Sequence, residues 1–90
     1  MAKVNFTAAL KRFYPTLEPM VVEGNSVAEI LAVLEKKHTG LTDYLVDEHG
    51  ELRQHINIFI GDQMLTDRTN LSDEVRERDE VLIFQALSGG

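Results

Sequence analysis

The chain has no cysteine and no tryptophan among its 90 residues. Without thiols it can form neither a disulfide framework nor a thiolate metal site, so any sulfur chemistry would need another reactive group. No apolar run approaches the roughly 18 residues that a membrane helix requires. Residues 1–4 also lack the apolar region of a signal peptide. We therefore expect a cytoplasmic protein with no membrane partner.

Basic residues are scarce as well. Nine lysines and arginines stand against fifteen aspartates and glutamates, which gives a net charge of −6. This balance disfavours nucleic acid as a partner, because phosphates attract basic patches. Acidic residues crowd before the last apolar segment, at Asp73, Glu74, Glu77, Asp79 and Glu80. They either complement a partner with a basic groove or form a solvated acidic loop.

The three histidines do not form a recognisable metal or catalytic motif. His38, His49 and His55 lack the spacing of four residues that places two ligands on one helix face. His49 lies between Glu48 and Glu51, which is typical of a charged turn rather than of an acid–base pair. The chain also has no glycine-rich loop that would hold phosphates. We expect no bound metal and no bound cofactor.

The apolar pattern predicts several short strands and one long helix. Strands are expected at residues 4–8, 20–23, 56–60, 64–65 and 81–86, and the prolines in residues 11–19 predict a loop. The pair Gly61 and Asp62 is a hairpin signal. Leu71 is expected to anchor a turn, and Met20 and Met64 are interpreted as core residues. No linker divides the chain.

The helix is marked at both ends. Ser26 and Glu29 have the spacing of a capping box, in which each side chain accepts a hydrogen bond from a free amide. Gly40 is well placed to follow the last turn. Apolar residues recur at helical spacing on one face, at Val27, Ile30, Leu31 and Leu34. Residues 41–46 are predicted to form a short extra turn, with Leu41 and Leu45 under the sheet.

Alternation along two strands predicts which side chains face the helix. The core face is expected to consist of Ile56, Ile58, Ile60, Val81 and Ile83. Phe59, Leu82 and Phe84 then point the other way, where no second helix is available to cover them. Exposed apolar groups in one patch usually mark a contact site. Two alternatives are a register shifted by one residue and a cover formed by Leu41, Leu45 or a loop.

A tail of four residues, 87–90, ends in two glycines. A glycine carboxylate has no neighbouring side chain, so it can enter a narrow enzyme channel. Fully extended, the tail spans about 13–14 Å. The alternative is a frayed terminus or a cloning linker. We expect a folded domain at residues 1–86 and a flexible tail at residues 87–90.

This order of segments resembles the MoaD/ThiS family of ubiquitin-like sulfur carrier proteins. The resemblance covers residues 4–90 and is carried by SVAEIL at 26–31, INIFI at 56–60, RDEV at 78–81 and the terminal GG. It implies an α+β, β-grasp fold, in which a mixed sheet of four to five strands packs on one main helix. The long first loop and extended middle are most similar to the molybdopterin synthase small subunit and to cysteine-biosynthesis carriers.

The resemblance also implies a function without enzymatic activity of the chain itself. A ubiquitin-activating-like enzyme would use ATP to adenylate Gly90, and a sulfur donor would convert it to a thiocarboxylate. A sulfur-accepting synthase or large subunit would be the second partner. Carried over from the family, Phe59, Leu82 and Phe84 would form the docking patch. Leu87, Ser88 and Gly89 would form the neck that enters the partner.

Other functions and several pathways stay open. The chain could be a ubiquitin-like modifier joined through Gly90 to lysines of other proteins, or a non-catalytic interaction domain. The sulfur acceptor could be a molybdopterin precursor in molybdenum cofactor biosynthesis, a cysteine precursor, thiazole or tRNA. The tail reads Leu-Ser-Gly-Gly where an alanine often precedes the glycines. The polar Ser88 therefore leaves the choice of activating partner open.

Overall fold

Five strands form one mixed sheet in the computed structural model, which describes residues 1–12 and 15–85. The elements in chain order are β1 (Ala2–Phe6), α1 (Ala8–Lys11), β2 (Met20–Val22), α2 (Val27–Lys37), α3 (Leu41–Leu45), β3 (Ile56–Ile60), β4 (Gln63–Met64) and β5 (Glu80–Gln85). The strand order is β2-β1-β5-β3-β4. Strand β5 pairs in parallel with β1 and antiparallel with β3. The predicted α+β, β-grasp architecture is confirmed.

One apolar core lies between the sheet and the helices. Several of its side chains have no exposed surface, among them Leu34 of α2, Leu41 and Leu45 of α3, and Ile56 and Ile58 of β3. Among the described residues, no polar or charged residue is buried. The core therefore has few polar groups to satisfy, and its stability comes from apolar area removed from water. The prediction that Leu41 and Leu45 lie under the sheet is confirmed.

The start of α2 uses both side chains of the predicted capping box, in a shifted form. The Ser26 hydroxyl accepts a hydrogen bond from the Glu29 amide at 3.2 Å. The Glu29 carboxylate accepts at 3.1 Å from the amide of Asn25, one residue before the Ser26 cap. Two amides without intrahelical partners are thus satisfied at the helix start.

A carboxylate joins the end of α2 to the start of α3. Glu35 accepts hydrogen bonds from the Gly40 amide at 2.8 Å, the Thr42 amide at 3.0 Å and the Thr42 hydroxyl at 2.7 Å. The Gly40 amide, and then Thr42, lower the pKa of Glu35. Gly40 has φ of 95°, a conformation that favours glycine, so the chain can reverse here.

The first connection differs from the prediction. The strand expected at residues 4–8 ends at Phe6, and a four-residue helix, α1, follows where strand and loop were expected. The Thr7 carbonyl accepts from the amides of Leu10 and Lys11, and this turn inserts the fully buried Leu10 into the core. The free energy gained by burying Leu10 outweighs the preference for a strand that the alternation of residues 4–8 indicates. Across residues 1–12 and 15–85, no helix combines the length and the apolar character needed to traverse a bilayer.

The β3–β4 hairpin and the final strand follow the sequence closely. The pairs Phe59–Met64 and Ile60–Gln63 flank a two-residue turn, in which Gly61 has φ of 65°. The prediction of a hairpin at Gly61 is confirmed. Strand β5 begins at Glu80, one residue earlier than expected, and the predicted last strand residue, Ala86, lies outside the described residues.

An aspartate near the start of the loop between β4 and β5 holds the conformation of this loop. The Asp67 carboxylate accepts hydrogen bonds from the amides of Thr69 at 3.1 Å, Asn70 at 2.9 Å and Ser72 at 3.2 Å, and from the Ser72 hydroxyl. The Asn70 amide and the Ser72 hydroxyl lower the pKa of Asp67 to about 2. Within this loop the buried Leu71 takes a positive φ of 55°, and it anchors the turn as predicted.

The Asp67 network predicts a pH-dependent contribution to stability. The folded pKa of about 2 lies below the ordinary value of 3.8. The ionised carboxylate therefore stabilises the fold above the ordinary value, and this contribution is lost as the pH falls towards the folded value. Asp67→Asn should lower the free energy of unfolding at about pH 6 and have a much smaller effect near pH 2, measured by urea denaturation.

Asp62→Asn, in the exposed hairpin turn, is the matched control and should have little effect at either pH. If Asp67→Asn lowers the unfolding free energy equally at both pH values, the ionised carboxylate is not the stabilising form.

Candidate functional site

One face of the sheet carries an apolar patch on the side opposite the core. Leu82 of β5 pairs with Phe59 of β3, and Phe59 pairs with Met64 of β4, so these three side chains form one row. Phe84 lies in the next row, where the Phe59 and Phe84 rings meet edge to face with centroids 6.3 Å apart. We call Phe59, Met64, Leu82 and Phe84 the open-face patch.

Burial confirms the predicted division of β3 and β5 into two faces. Ile56, Ile58, Val81 and Ile83 are buried, and Ile60 packs against them as a partly buried residue. Phe59 and Leu82 are half-buried, and Phe84 is 37% exposed. The alternative register, shifted by one residue, is wrong. A cover formed by Leu41 or Leu45 is also wrong, because both belong to the core.

Met64 was missed as a member of this face. It was expected in the core, but its side chain is 52% exposed, and its sulfur accepts a hydrogen bond from the Asn57 amide group at 2.8 Å. A signal was present, since a two-residue turn places Met64 opposite Phe59. Paired residues share a face, so any register that exposes Phe59 also exposes Met64. Met20 does pack against the core as expected.

Polar residues border the patch on the side of β1 and β2. Asn5 of β1 pairs with Leu82, and Lys3 pairs with Glu80 in the row beside it. Val21 of β2 pairs with Lys3 and is 55% exposed, so it is an isolated apolar residue on the same sheet face. The open-face patch is therefore confined to β3, β4 and β5.

The end of β5 is held from both sides. The Gln85 amide donates to the Thr7 hydroxyl at 3.2 Å, and the Tyr44 hydroxyl donates to the Gln85 side-chain oxygen at 2.9 Å. Gln85 directly follows Phe84 of the patch. We call Thr7, Tyr44 and Gln85 the tail-root clamp, because the tail begins just beyond it.

The remaining predicted site residues lie outside the described part of the chain. They are Leu87, Ser88, Gly89 and Gly90. Their assignment as neck and reactive terminus stays a prediction. The structure shows that Gln85, which the tail-root clamp holds, directly follows Phe84 in β5.

The charged turn of residues 47–51 has a structural explanation. Asp47 accepts hydrogen bonds from the amides of His49 at 2.8 Å and Glu51 at 3.1 Å. His49 lies 3.7 Å from the Glu48 carboxylate, and both side chains are largely exposed. In residues 1–12 and 15–85, no three histidine or acidic side chains converge to hold a metal ion.

Comparison with known proteins adds one family and several similar chains. The sequence model of the ThiS family matches residues 4–90. The sulfur carrier protein CysO of Mycobacterium tuberculosis is 26% identical over 69 residues, which cover 74% of each chain.

Two solved structures are also similar. A chain from the crystal structure of the Amycolatopsis orientalis BexX/CysO complex is 27% identical, with a TM-score of 0.85 and full coverage of both chains. The solution structure of the small archaeal modifier protein 1 from Methanosarcina acetivorans is 25% identical, with a TM-score of 0.77 over 99% of this chain and 95% of that one.

The tail-root clamp predicts a local effect of losing one hydroxyl. Tyr44→Phe removes the half-buried hydrogen bond to Gln85, so it should lower the free energy of unfolding by about 0.5–1.5 kcal/mol. Hydrogen exchange at the Gln85 amide should accelerate, as measured by NMR, because its side chain is no longer held. Exchange at Ile58, in the centre of β3, is the internal control. Equal exchange at Gln85 in both proteins would contradict the clamp.

Proposed function

Because this chain belongs to the ThiS family, we propose that it is a sulfur carrier protein that acts through Gly90. The Gly90 carboxylate attacks the α-phosphorus of ATP on an activating enzyme, and pyrophosphate leaves. A sulfur donor then attacks the acyl-adenylate and displaces AMP, which leaves a thiocarboxylate. The adenylation step is needed because a free carboxylate is a poor electrophile. The chain is a cosubstrate in this reaction, and the catalytic groups belong to its partners.

The observation that carries this proposal is the path of β5. The strand alternates between the core and the open-face patch, and it ends at the tail-root clamp directly after Phe84. A partner that binds Phe84 is therefore one residue from Gln85, the last described residue of β5. Five residues separate Gln85 from the end of Gly90, and they span at most about 16–18 Å when extended.

The patch also accounts for the energy of holding the tail. Fixing each tail residue in one conformation costs about 1–2 kcal/mol. The glycines themselves offer almost no side-chain contact in return. Burial of Phe59, Met64, Leu82 and Phe84 against a partner supplies free energy at about 25 cal/mol per Å² of apolar surface. Docking and chemistry are thus separated, with the sheet binding and the tail reacting.

The same patch would serve the activating enzyme and the sulfur-accepting enzyme in turn. The similar Amycolatopsis chain comes from a complex of CysO with a second protein, BexX. Molybdopterin, cysteine, thiazole and tRNA thiolation all fit a thiocarboxylate donor. Which of them this chain supplies is then a property of the enzyme that docks on the patch.

Activation of Gly90 has a direct mass-spectrometric test. The full chain is incubated with the ubiquitin-activating-like enzyme of the same organism, Mg²⁺, ATP and sulfide. The mass of the C-terminal peptide should rise by the difference between one sulfur and one oxygen atom. A variant lacking Gly89 and Gly90 is the control and should keep its fold but show no ATP–pyrophosphate exchange. Absence of exchange with the complete chain would contradict the proposal.

A protein modifier is the second candidate, favoured by the likeness to small archaeal modifier protein 1. In that case Gly90 would form an isopeptide bond to lysines of other proteins. A tagged chain expressed in its own organism would then yield larger conjugates that disappear when Gly89 and Gly90 are deleted. Thiocarboxylate without conjugates identifies a dedicated carrier.

The docking role of the open-face patch predicts a large effect of one exposed side chain. Phe84→Ser should weaken binding to the activating enzyme about 10- to 100-fold, because exposed aromatic residues at the centre of an interface dominate its binding energy. Isothermal titration calorimetry measures this change. Phe84 is only 37% exposed and its ring contacts Phe59, so the substitution should also lower the free energy of unfolding, and thermal unfolding checks that the variant is folded at the assay temperature.

Val21→Ser is the matched control, since Val21 is an exposed apolar residue on the same sheet face but two strands from β5. Its affinity should stay within about twofold of wild type. Equal losses in both variants would mean that the sheet face as a whole, and not the open-face patch, determines binding.

A further inference from the structure

A basic cleft lies beside the tail-root clamp. It has a volume of about 560 Å³, and its lining includes Arg53, His55 and Arg68. Ile56 begins β3 and pairs with Gln85 at the end of β5. The Arg68 guanidinium donates to the Ile56 carbonyl at 2.9 Å, so the cleft and the tail root share one end of the sheet.

Both arginines are held by main-chain carbonyls. Arg68 donates through Nη2 to the Arg53 carbonyl at 2.6 Å as well as to Ile56. Arg53 donates through Nε and Nη2 to the Asp43 carbonyl at 3.3 and 3.1 Å. A carbonyl is neutral, so these bonds position the guanidinium groups without cancelling their charge. The cleft therefore presents two fixed cations.

Among residues 1–12 and 15–85, no carboxylate forms an ion pair within 4.0 Å with Arg53 or Arg68. In residues 1–12 and 15–85, the ion pairs within 4.0 Å are Met1–Glu77, His49–Glu48 and Arg76–Glu74. Asp47 also lines the cleft and attracts Arg53 at a distance beyond 4.0 Å, while its carboxylate accepts hydrogen bonds from the amides of His49 and Glu51. Neither guanidinium group therefore has a close ion pair among the described residues, although the chain has a net charge of −6. A planar guanidinium fork is suited to a carboxylate or a phosphate.

The distance from the tail end favours carboxylates of a partner over phosphates of the nucleotide. When the five residues after Gln85 are extended, Gly90 and any nucleotide joined to it lie about 16–18 Å from the tail root. In that arrangement the cleft lies near the entrance of the partner's channel and not near the nucleotide. The groups that meet it there belong to the partner's surface.

We propose that Arg53 and Arg68 bind acidic side chains at the mouth of the activating enzyme's channel; this inference rests on the proposed function of Gly90. The contact orients the chain, since acidic groups of the partner attract the two arginines at this end of a domain whose net charge is −6. The open-face patch supplies most of the affinity, and the basic cleft selects the direction in which the tail points.

The test is the salt dependence of activation. Arg53→Glu should raise the KM of the carrier in ATP–pyrophosphate exchange about three- to tenfold, with kcat unchanged. The increase of KM with NaCl concentration should be weaker in this variant, because an attractive charge pair has been lost. Arg53→Lys should keep most of the salt dependence. Circular dichroism and thermal unfolding check the fold of each variant.

Arg76→Glu is the matched control. Arg76 is 81% exposed, lies before β5 at the opposite end of the sheet, and is paired with Glu74 at 3.3 Å. It should leave both KM and its salt dependence unchanged. Arg68→Gln serves only as a second variant, since its loss also frees two main-chain carbonyls and can destabilise the loop.

ATP–pyrophosphate exchange with the wild-type chain distinguishes failure of this inference from failure of the proposed function. If the wild-type chain is activated and Arg53→Glu matches it in KM and salt dependence, the inference is overturned and the carrier function stands. If the wild-type chain is not activated, both fail. Inorganic phosphate is the direct probe for the other ligand, and micromolar binding to the cleft in an NMR titration would overturn the assignment to partner carboxylates.

Discussion

The pairing of β5 with strands on both sides is the constraint on which the rest of the molecule depends. Because β5 lies between β1 and β3, its register fixes the direction of every side chain along it. Val81 and Ile83 enter the core, while Leu82 and Phe84 face outward. A shift by one residue would bury the outward pair and expose the inward pair. The same hydrogen bonds that stabilise the core therefore create the open-face patch and place Gln85 at its end.

The domain has a core that its own helices and sheet close, and it has other surfaces that remain available to partners. The core is closed by α2 and α3 on one side of the sheet, with no buried polar residue in the described part of the chain. The open-face patch adds little to that core, so it can be available for binding without loss of the fold. A patch of this kind is a liability in an isolated protein, and its retention is typical of an interface.

Carboxylates and arginines have different tasks in this fold. Glu35, Asp47 and Asp67 each accept two or more hydrogen bonds close by in the chain and thereby fix a reversal of its direction. Arg53 and Arg68 are instead held by carbonyls, and neither has a carboxylate within 4.0 Å among the described residues. A chain of strongly acidic composition thus carries a local cationic site. The net charge describes the average of the whole surface and not the end of the sheet that carries Gln85.

Features that depend on near neighbours were determined by the sequence itself. The cap at Ser26, the turn at Gly61 and the alternation of β3 and β5 arise from local hydrogen bonds and from the two-residue period of a strand, and the spacing of a few residues reveals them. Contacts between distant residues were decided only by the tertiary structure. Tyr44 meets Gln85 across 41 positions, and Arg68 meets the Arg53 carbonyl across 15. Leu10 is buried in the core by a helical turn where the alternation of residues 4–8 predicted a strand. No local pattern encodes these contacts, because each requires the register of the whole sheet.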